Sequence, residues 1–319
     1  MSILIKRPGI LSTVQDCGRF GHQCMGINPN GVMDSAAMRS INCLLNNDED
    51  EAVVEMHFPA ADILFEKDAV FAIGGGDFDA KLNGTSINNW QVDFAAEGSN
   101  LAFRRPLSGS RTYFSVQGGF GIEPWLGSRS TNAAASIGGF EGRPLTAGDR
   151  IHMRGSKFSE ASIGLRISRE MVPQYSSSTA VRFIPGGEFG MLSDDSRQRL
   201  RSSKFTVSKS SDRMGFRLIG EPLHLEKPVE LLSSAVSFGT MQLLPDNELI
   251  VLMADHQTTG GYPRIGNVVS TDLPLLAQLS AGDDVSFEQI AIDEAEDLIL
   301  DFENNINWLK IGVRLRTAT

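Results

Sequence analysis

The chain has 319 residues, with 29 Lys and Arg against 39 Asp and Glu, for a formal net charge of −10. That balance argues against a broad basic surface for nucleic acid or anionic lipid. A hydrophobic content of 41% with 21% charged residues argues against intrinsic disorder.

The opening MSILIKRPG has no long apolar stretch followed by a small-residue cleavage site, so no signal peptide is expected. Cys17 and Cys24, with the nearby Asp16 and His22, match no standard zinc spacing, so no metal site is expected. The third cysteine, Cys43, leaves an odd and low count, which fits a reducing compartment better than a disulfide framework. A cap at Asp34 predicts a helix through about Leu45, with Met38, Ile41, Leu44 and Leu45 on one face. Val70–Ile73 reads as a strand entering Gly74-Gly75-Gly76. That triplet lacks the third glycine of a dinucleotide fingerprint and reads as a turn or bulge. Asn83-Gly84 marks a hairpin, and Thr112–Val116 alternates before stopping at Gly118-Gly119.

The polar, Pro-bearing segment Met171–Thr179 is the best linker. It divides the chain into residues 1–172 and 180–319, each rich in short strands. A weak internal echo supports two related halves: Pro144-Leu-Thr-Ala-Gly-Asp-Arg-Ile151 against Gln278-Leu-Ser-Ala-Gly-Asp-Asp-Val285. Ser193 predicts a second helix through about Arg201. Thr271 predicts a third, with Leu275, Leu276 and Leu279 inward and Gly282 at its end. Leu249–Ala254, the longest dense apolar run, reads as a buried strand and is far short of the ~18 residues of a membrane span. A protein of the cytoplasm without membrane attachment is expected. Ala291, Ala295, Leu298, Phe302, Ile306 and Leu309 predict a C-terminal helix. Its acidic face (Asp293, Glu294, Glu296, Asp297, Asp301, Glu303) reads as solvated, with docking of a basic partner as the alternative.

No P-loop, nucleophile elbow, metalloprotease helix or C-x-x-C pair is present. Two segments stand out instead. Asp255-His256-Gln257-Thr258-Thr259-Gly260-Gly261-Tyr262 follows the buried strand directly, which puts polar groups and two approachable glycines at a sheet rim. A turn satisfied by its own side chains is the other explanation. In Ser210–Arg217, Arg213 offers a planar fork suited to a carboxylate or phosphate, or to an ion pair with a nearby acidic residue.

These segments also carry a resemblance. Thr13-Val-Gln-Asp16 with Gly18-Arg19, then Gly31-Val-Met-Asp34, Leu126–Thr131, Gly138–Arg143, Ser211–Gly215 and Gln257–Pro263 resemble, in order, the KipI-antagonist family. This is also called the allophanate hydrolase subunit 2 or biotin-dependent carboxyltransferase family, and its bacterial members include the C subunit of 5-oxoprolinase. The resemblance implies a mainly β fold of two cyclophilin-like barrel halves. It implies the KipI-like (B) and LamB/YcsF-like (A) subunits of 5-oxoprolinase as partners, and ATP, with Mg2+, for opening 5-oxoproline to L-glutamate. A lactam carbonyl is a poor electrophile, and phosphorylating its oxygen creates a leaving group whose developing charge calls for cationic or amide donors. On that chemistry Asp255, His256, Gln257 and Arg213 are catalytic candidates. Arg129, Arg19, Thr258, Thr259, Gly260, Gly261 and Tyr262 are substrate-binding candidates. Two alternatives stand beside it. One is a subunit of carboxyltransferase type that acts on urea or a related amide. It requires a carboxylated biotin carrier, and this chain has no Met-Lys-Met carrier signature. The other is a non-catalytic antagonist of a KipI-like kinase inhibitor.

Overall fold

Strands such as Ser2–Arg7 and Asp284–Gln289 alternate buried with more exposed side chains, whereas Ala69–Asp77 and Thr240–Leu243 are buried almost throughout, in the computed structural model, which describes residues 1–155 and 162–317. The residues group into two compact units. The first comprises residues 1–19, 30–174 and 303–319, and the second residues 20–29 and 175–302. The crossing at Gln174–Tyr175 falls inside the polar Met171–Thr179 segment. A division there into residues 1–172 and 180–319 leaves two stretches on the other side: residues 20–29 group with the second unit and 303–319 with the first.

The first unit pairs two antiparallel sheets. One runs in the order Arg150–His152, Ser2–Arg7, Asp62–Phe65, Asn100–Phe103, Ala80–Leu82, Thr85–Ser86. The other runs Ser12–Gln15, Val53–His57, Ser108–Val116, Ala69–Asp77, Val92–Ala95. Their inner faces share one core, to which Ile3, Ile5 and Ile63 come from the first sheet and Val54, Ile73 and Phe114 from the second. Phe65 of the first sheet meets Phe71 and Phe114 of the second at ring-centroid distances of 5.2 and 6.0 Å. Each such buried ring contributes about 1.5–3 kcal/mol. The Asn83-Gly84 hairpin forms as expected, with both residues at positive φ and Leu82 opposite Thr85. The Gly74–Gly76 triplet lies within a strand, at a register shift against Ser108–Val116. A side chain on Gly75 would stand 2.7 Å from the Arg111 carbonyl and the Tyr113 ring, so close packing explains the glycine.

The second unit contains a closed seven-stranded barrel. Its order is Ser178–Pro185, Arg264–Val268, Thr240–Leu243, Leu249–Leu252, Gly215–Ile219, Lys204–Val207, Asp284–Gln289, and a parallel pairing of the last strand with the first closes it. Phe287 packs edge-on to Phe183 and Phe205 inside. Closure leaves no open edge in this sheet.

Among the described residues there are four α-helices: α1 (Ser35–Leu44), α2 (Asp194–Ser202), α3 (Leu273–Ala277) and α4 (Ile292–Thr317). The Asp34 carboxylate caps α1 by accepting from Ala37 N at 2.8 Å, and Ser193 caps α2. The third helix differs from its expectation. It begins after Asp272, not Thr271, and stops well before Gly282. The Asp272 carboxylate is taken by Arg182 through its Nε, a terminal guanidinium nitrogen and its backbone N–H, so no side-chain cap remains for the helix. Leu276 and Leu279 are buried, while Leu275 is only half-buried. The last helix runs eight residues beyond Leu309, and Ala291 is exposed outside it. Five of its acidic residues are exposed, as a solvated face requires. Glu303 is held by two bonds of 2.7 Å from Arg39, which also pairs with Glu49.

The internal echo has a structural counterpart. Gly148 and Gly282 both sit at φ 95°. Gly148 N donates to Ile5 O as Gly282 N does to Val207 O, and Ile5 N and Val207 N return bonds to Asp149 O and Asp283 O. The two aspartates cap Thr146 N and Ser280 N at 2.7 and 2.8 Å. One turn, with one bond set, stands before a strand in each unit.

Candidate functional site

The segment from Asp255 onward leaves the barrel just past Leu249–Leu252, whose last ladder pair is Leu252 opposite Gly215. Backbone bonds still tie the exit: Met253 N donates to Met214 O, and Asp255 N to Arg213 O at 2.7 Å. The same register brings the two side chains together. Arg213 donates from Nε at 2.9 Å and from a terminal nitrogen at 3.1 Å to the two oxygens of Asp255. The side chains are 11% and 20% exposed, so this is a two-pronged, largely desolvated pair. Asn28 donates to the Asp255 carbonyl at 3.1 Å.

His256 is 3% exposed, and its Nδ1 lies 2.6 Å from Gln257 O. Burial holds its pKa below the ordinary imidazole value, against smaller opposing effects of the Gln257 carbonyl and Asp255. Burial thus favours the neutral ring. Thr258 O accepts from Val236 N, and Thr259–Gly260 pairs with Ser234–Ala235 in a two-stranded ribbon. Gly261 lies 3.4 Å, measured from an added Cβ, from Leu231 O and Ser233 Oγ.

Gln257 and Tyr262, from the two ends of this segment, line a cavity of 530 Å³ within the second unit. That is within the ~300–1,000 Å³ of small-molecule pockets. Asp212, Met214 and Arg217 line it from the Ser210–Arg217 side. Asp212 is committed locally, accepting from Met214 N at 2.8 Å. Arg213, Asp255 and His256 lie just behind this wall in sequence and do not line it. Gln242, which no motif singled out, does line it. Its one sequence signal is a polar residue within the apolar-flanked strand Thr240–Leu243.

Two candidates belong to the first unit. Arg19 is 1% exposed. It donates to Asn30 Oδ1 at 2.6 Å and to Ser130 O, and lies 5.1 Å over the Trp125 ring. Those partners are its own loops, where it acts as a tie. Arg129 is half-buried. Its Nε donates to Ile122 O at 2.9 Å, while its two terminal nitrogens have no partner among the described residues. It is therefore the arginine of the three that keeps a fork for an anion. Asp16 accepts from Ser128 Oγ and Ser130 Oγ at 2.6 Å, from Gly18 N, and from Arg129 N, so it fixes the loop that carries Arg129. Among the described residues no three His, Cys, Asp or Glu are grouped to hold a metal ion, and no helix is long and apolar enough to cross a membrane.

The chain is similar to known proteins along most of its length. A family model described as the carboxyltransferase domain, subdomains A and B, matches residues 25–289. A Haemophilus influenzae protein named as the 5-oxoprolinase C subunit is 36% identical over 90% of this chain and 91% of its own length. The Escherichia coli protein of the same name is 36% identical over 91% and 92%. Among solved structures, the Kluyveromyces lactis urea amidolyase superposes with a TM-score of 0.90 at 25% identity over 97% of this chain, which spans 20% of that enzyme. The protein TTHA0988 superposes with a TM-score of 0.80 at 30% identity over 90% of this chain and 55% of its own. With a family model over most of its residues and relatives of its own size at 36% identity, the chain belongs to the family of the carboxyltransferase domain, subdomains A and B.

Proposed function

We propose that this chain is the C subunit of a 5-oxoprolinase, working with KipI-like and LamB/YcsF-like subunits in ATP-dependent opening of 5-oxoproline to L-glutamate. One observation carries this reading: the relatives named as 5-oxoprolinase C subunits match at 36% identity over 91% and 92% of their length, whereas a urea amidolyase of Lachancea kluyveri is matched at 28% over 18% of its own.

The barrel cavity suits a small polar ring: Gln257 and Tyr262 offer hydrogen bonds, and Met214 and Leu252 offer apolar contact. Binding of a triphosphate calls for several convergent cations or N–H donors. The three candidate arginines do not meet that need together. Arg213 is paired with Asp255, Arg19 is spent on its own loops, and Arg129 is the one of the three that keeps terminal donors. ATP is accordingly assigned to the KipI-like partner, and this chain's part is to hold the lactam. Arg129 is the candidate for the lactam's carboxylate or for charge on an approaching phosphoryl group.

The test is reconstitution. The protein is mixed with its KipI-like and LamB/YcsF-like partners, and glutamate formed from 5-oxoproline is measured with and without ATP. ATP-dependent glutamate that disappears when this chain is left out is expected. No turnover from an intact complex refutes the reading. The 0.90 superposition on urea amidolyase favours one second reading, carboxyl transfer to urea or a related amide from biotin on a separate carrier. Transfer of labelled carboxylate from a biotin carrier, with no glutamate formed, would establish it.

A further inference from the structure

We propose that the carboxamide of Gln242 is the group by which the barrel cavity reads its ligand. The chemical class it reads is a cyclic amide or urea that presents an N–H and a C=O on one edge. This rests on the amide-directed reading above and adds to it a specificity residue and a rule of recognition.

Gln242 sits in Thr240–Leu243, bonded on one side to Leu249–Leu252 and on the other to Arg264–Val268. The residue is 1% exposed and forms part of the cavity wall. Its Nε2 reaches Tyr262 O only at 3.4 Å, and its Oε1 is buried with no partner among the described residues. Buried side-chain amides are nearly always bonded at both ends, and an unpaired end destabilises the fold. A Leu or Met would fill the same wall without that cost. The neighbouring position makes room for the amide: a Cβ on Gly260 would stand 2.7 Å from Nε2 and 3.4 Å from Oε1. The chain thus places a polar side chain where an apolar one would be more stable, and removes a neighbour's side chain to seat it.

A carboxamide underused at both ends complements a ligand edge that carries a donor and an acceptor side by side. The ligand N–H donates to Oε1, Nε2 donates to the ligand carbonyl, and the two bonds close a ring. A lactam holds its amide cis and presents this edge, as do urea and cyclic ureas. An extended trans amide and a carboxylate do not. The last torsion of the side chain is intrinsically broad and two-fold, so the torsion itself does not oppose turning that edge toward the cavity.

Binding of 2-pyrrolidinone and of N-methyl-2-pyrrolidinone, which lacks the N–H, to the full-length protein tests this by ligand-observed NMR titration. Wild type should bind the first at least tenfold more tightly. Gln242→Leu should abolish that preference while melting at or above wild type, where a purely structural glutamine would leave a less stable protein. Gln242→Met, unbranched and of similar length, repeats the measurement if leucine disturbs packing. Equal binding of both lactams to wild type, no binding of either, or a variant that keeps the preference overturns the proposal. The outcome separates from the proposed function. Glutamate production with one KM for wild type and Gln242→Leu refutes the role of Gln242 alone. Gln242-dependent lactam binding without turnover refutes the 5-oxoprolinase reading alone.

Discussion

Replacing Asp255 by asparagine should destabilise the protein measurably. The carboxylate meets Arg213 through two bonds, 2.9 and 3.1 Å, with side chains 11% and 20% exposed. An exposed ion pair is worth ~0–1 kcal/mol, whereas removing one partner of a fully buried pair costs ~3–5 kcal/mol. The observed exposure lies between these limits, so the loss should be about 2 kcal/mol. Asparagine keeps the shape and one acceptor, so the loss reports the missing charge. At ~2–4 °C per kcal/mol for units of ~150–250 residues, the melting midpoint should fall by about 4–8 °C. Thermal denaturation of Asp255→Asn, Arg213→Leu and the double variant forms a cycle. The double variant should lose less than the sum of the two, because each single change strands the other group. A midpoint within ~1 °C of wild type for Asp255→Asn, or a coupling near zero, refutes the reasoning. Turnover of the same variants in the reconstituted complex separates two roles. If Asp255 only anchors Arg213, kcat should survive wherever the fold does.

Gly282→Ala and Gly148→Ala should each cost about 1–2 kcal/mol by thermal denaturation, because both residues sit at φ 95° with open space where the methyl would go. Unequal costs would show that the two turns are not equivalent. Burial depresses the His256 pKa in the fold, so the unfolded chain takes up the proton first. Its stabilisation is therefore complete above the unfolded value of about 6.5 and is lost as pH falls from there toward the lower folded value. Denaturant unfolding between pH 7.5 and 5 should show His256→Asn with a shallower loss than wild type, and parallel curves would refute this. Arg129→Ala should raise the KM for 5-oxoproline about tenfold with little change in melting, since its free terminal nitrogens bind no other described residue. Unimpaired turnover removes its role.

Features set by bonds between near neighbours were legible in the sequence. The Asp34 and Ser193 caps, the Asn83-Gly84 hairpin and the paired Gly-Asp turns depend on local φ and on side chains a few residues away. For that reason α3 went differently: Asp272, next to the expected cap, is claimed by Arg182, 90 residues away in the chain. The regrouping of residues 20–29 and 303–319 likewise depends on contacts between distant segments.

The candidate site divides in the same way. Residue types and order mark Asp255–Tyr262 and Arg213 as chemistry-bearing, because polar residues and glycines crowd the end of a buried strand. The partners of each group are a matter of tertiary structure. Arg213, Arg19 and Arg129 are alike in sequence, yet one is neutralised by Asp255, one is buried among its own loops, and one keeps a fork free. Gln242 shows the limit most clearly, for a glutamine in a strand carries no motif. Only tertiary pairing, which sets Thr240–Leu243 between two neighbouring strands and brings Gly260 of the separate ribbon against its amide, makes it part of a cavity wall. Local sequence determines where a turn or a cap forms. Long-range packing decides which polar groups are already satisfied and which remain available to a ligand, because that depends on every segment brought within hydrogen-bond reach.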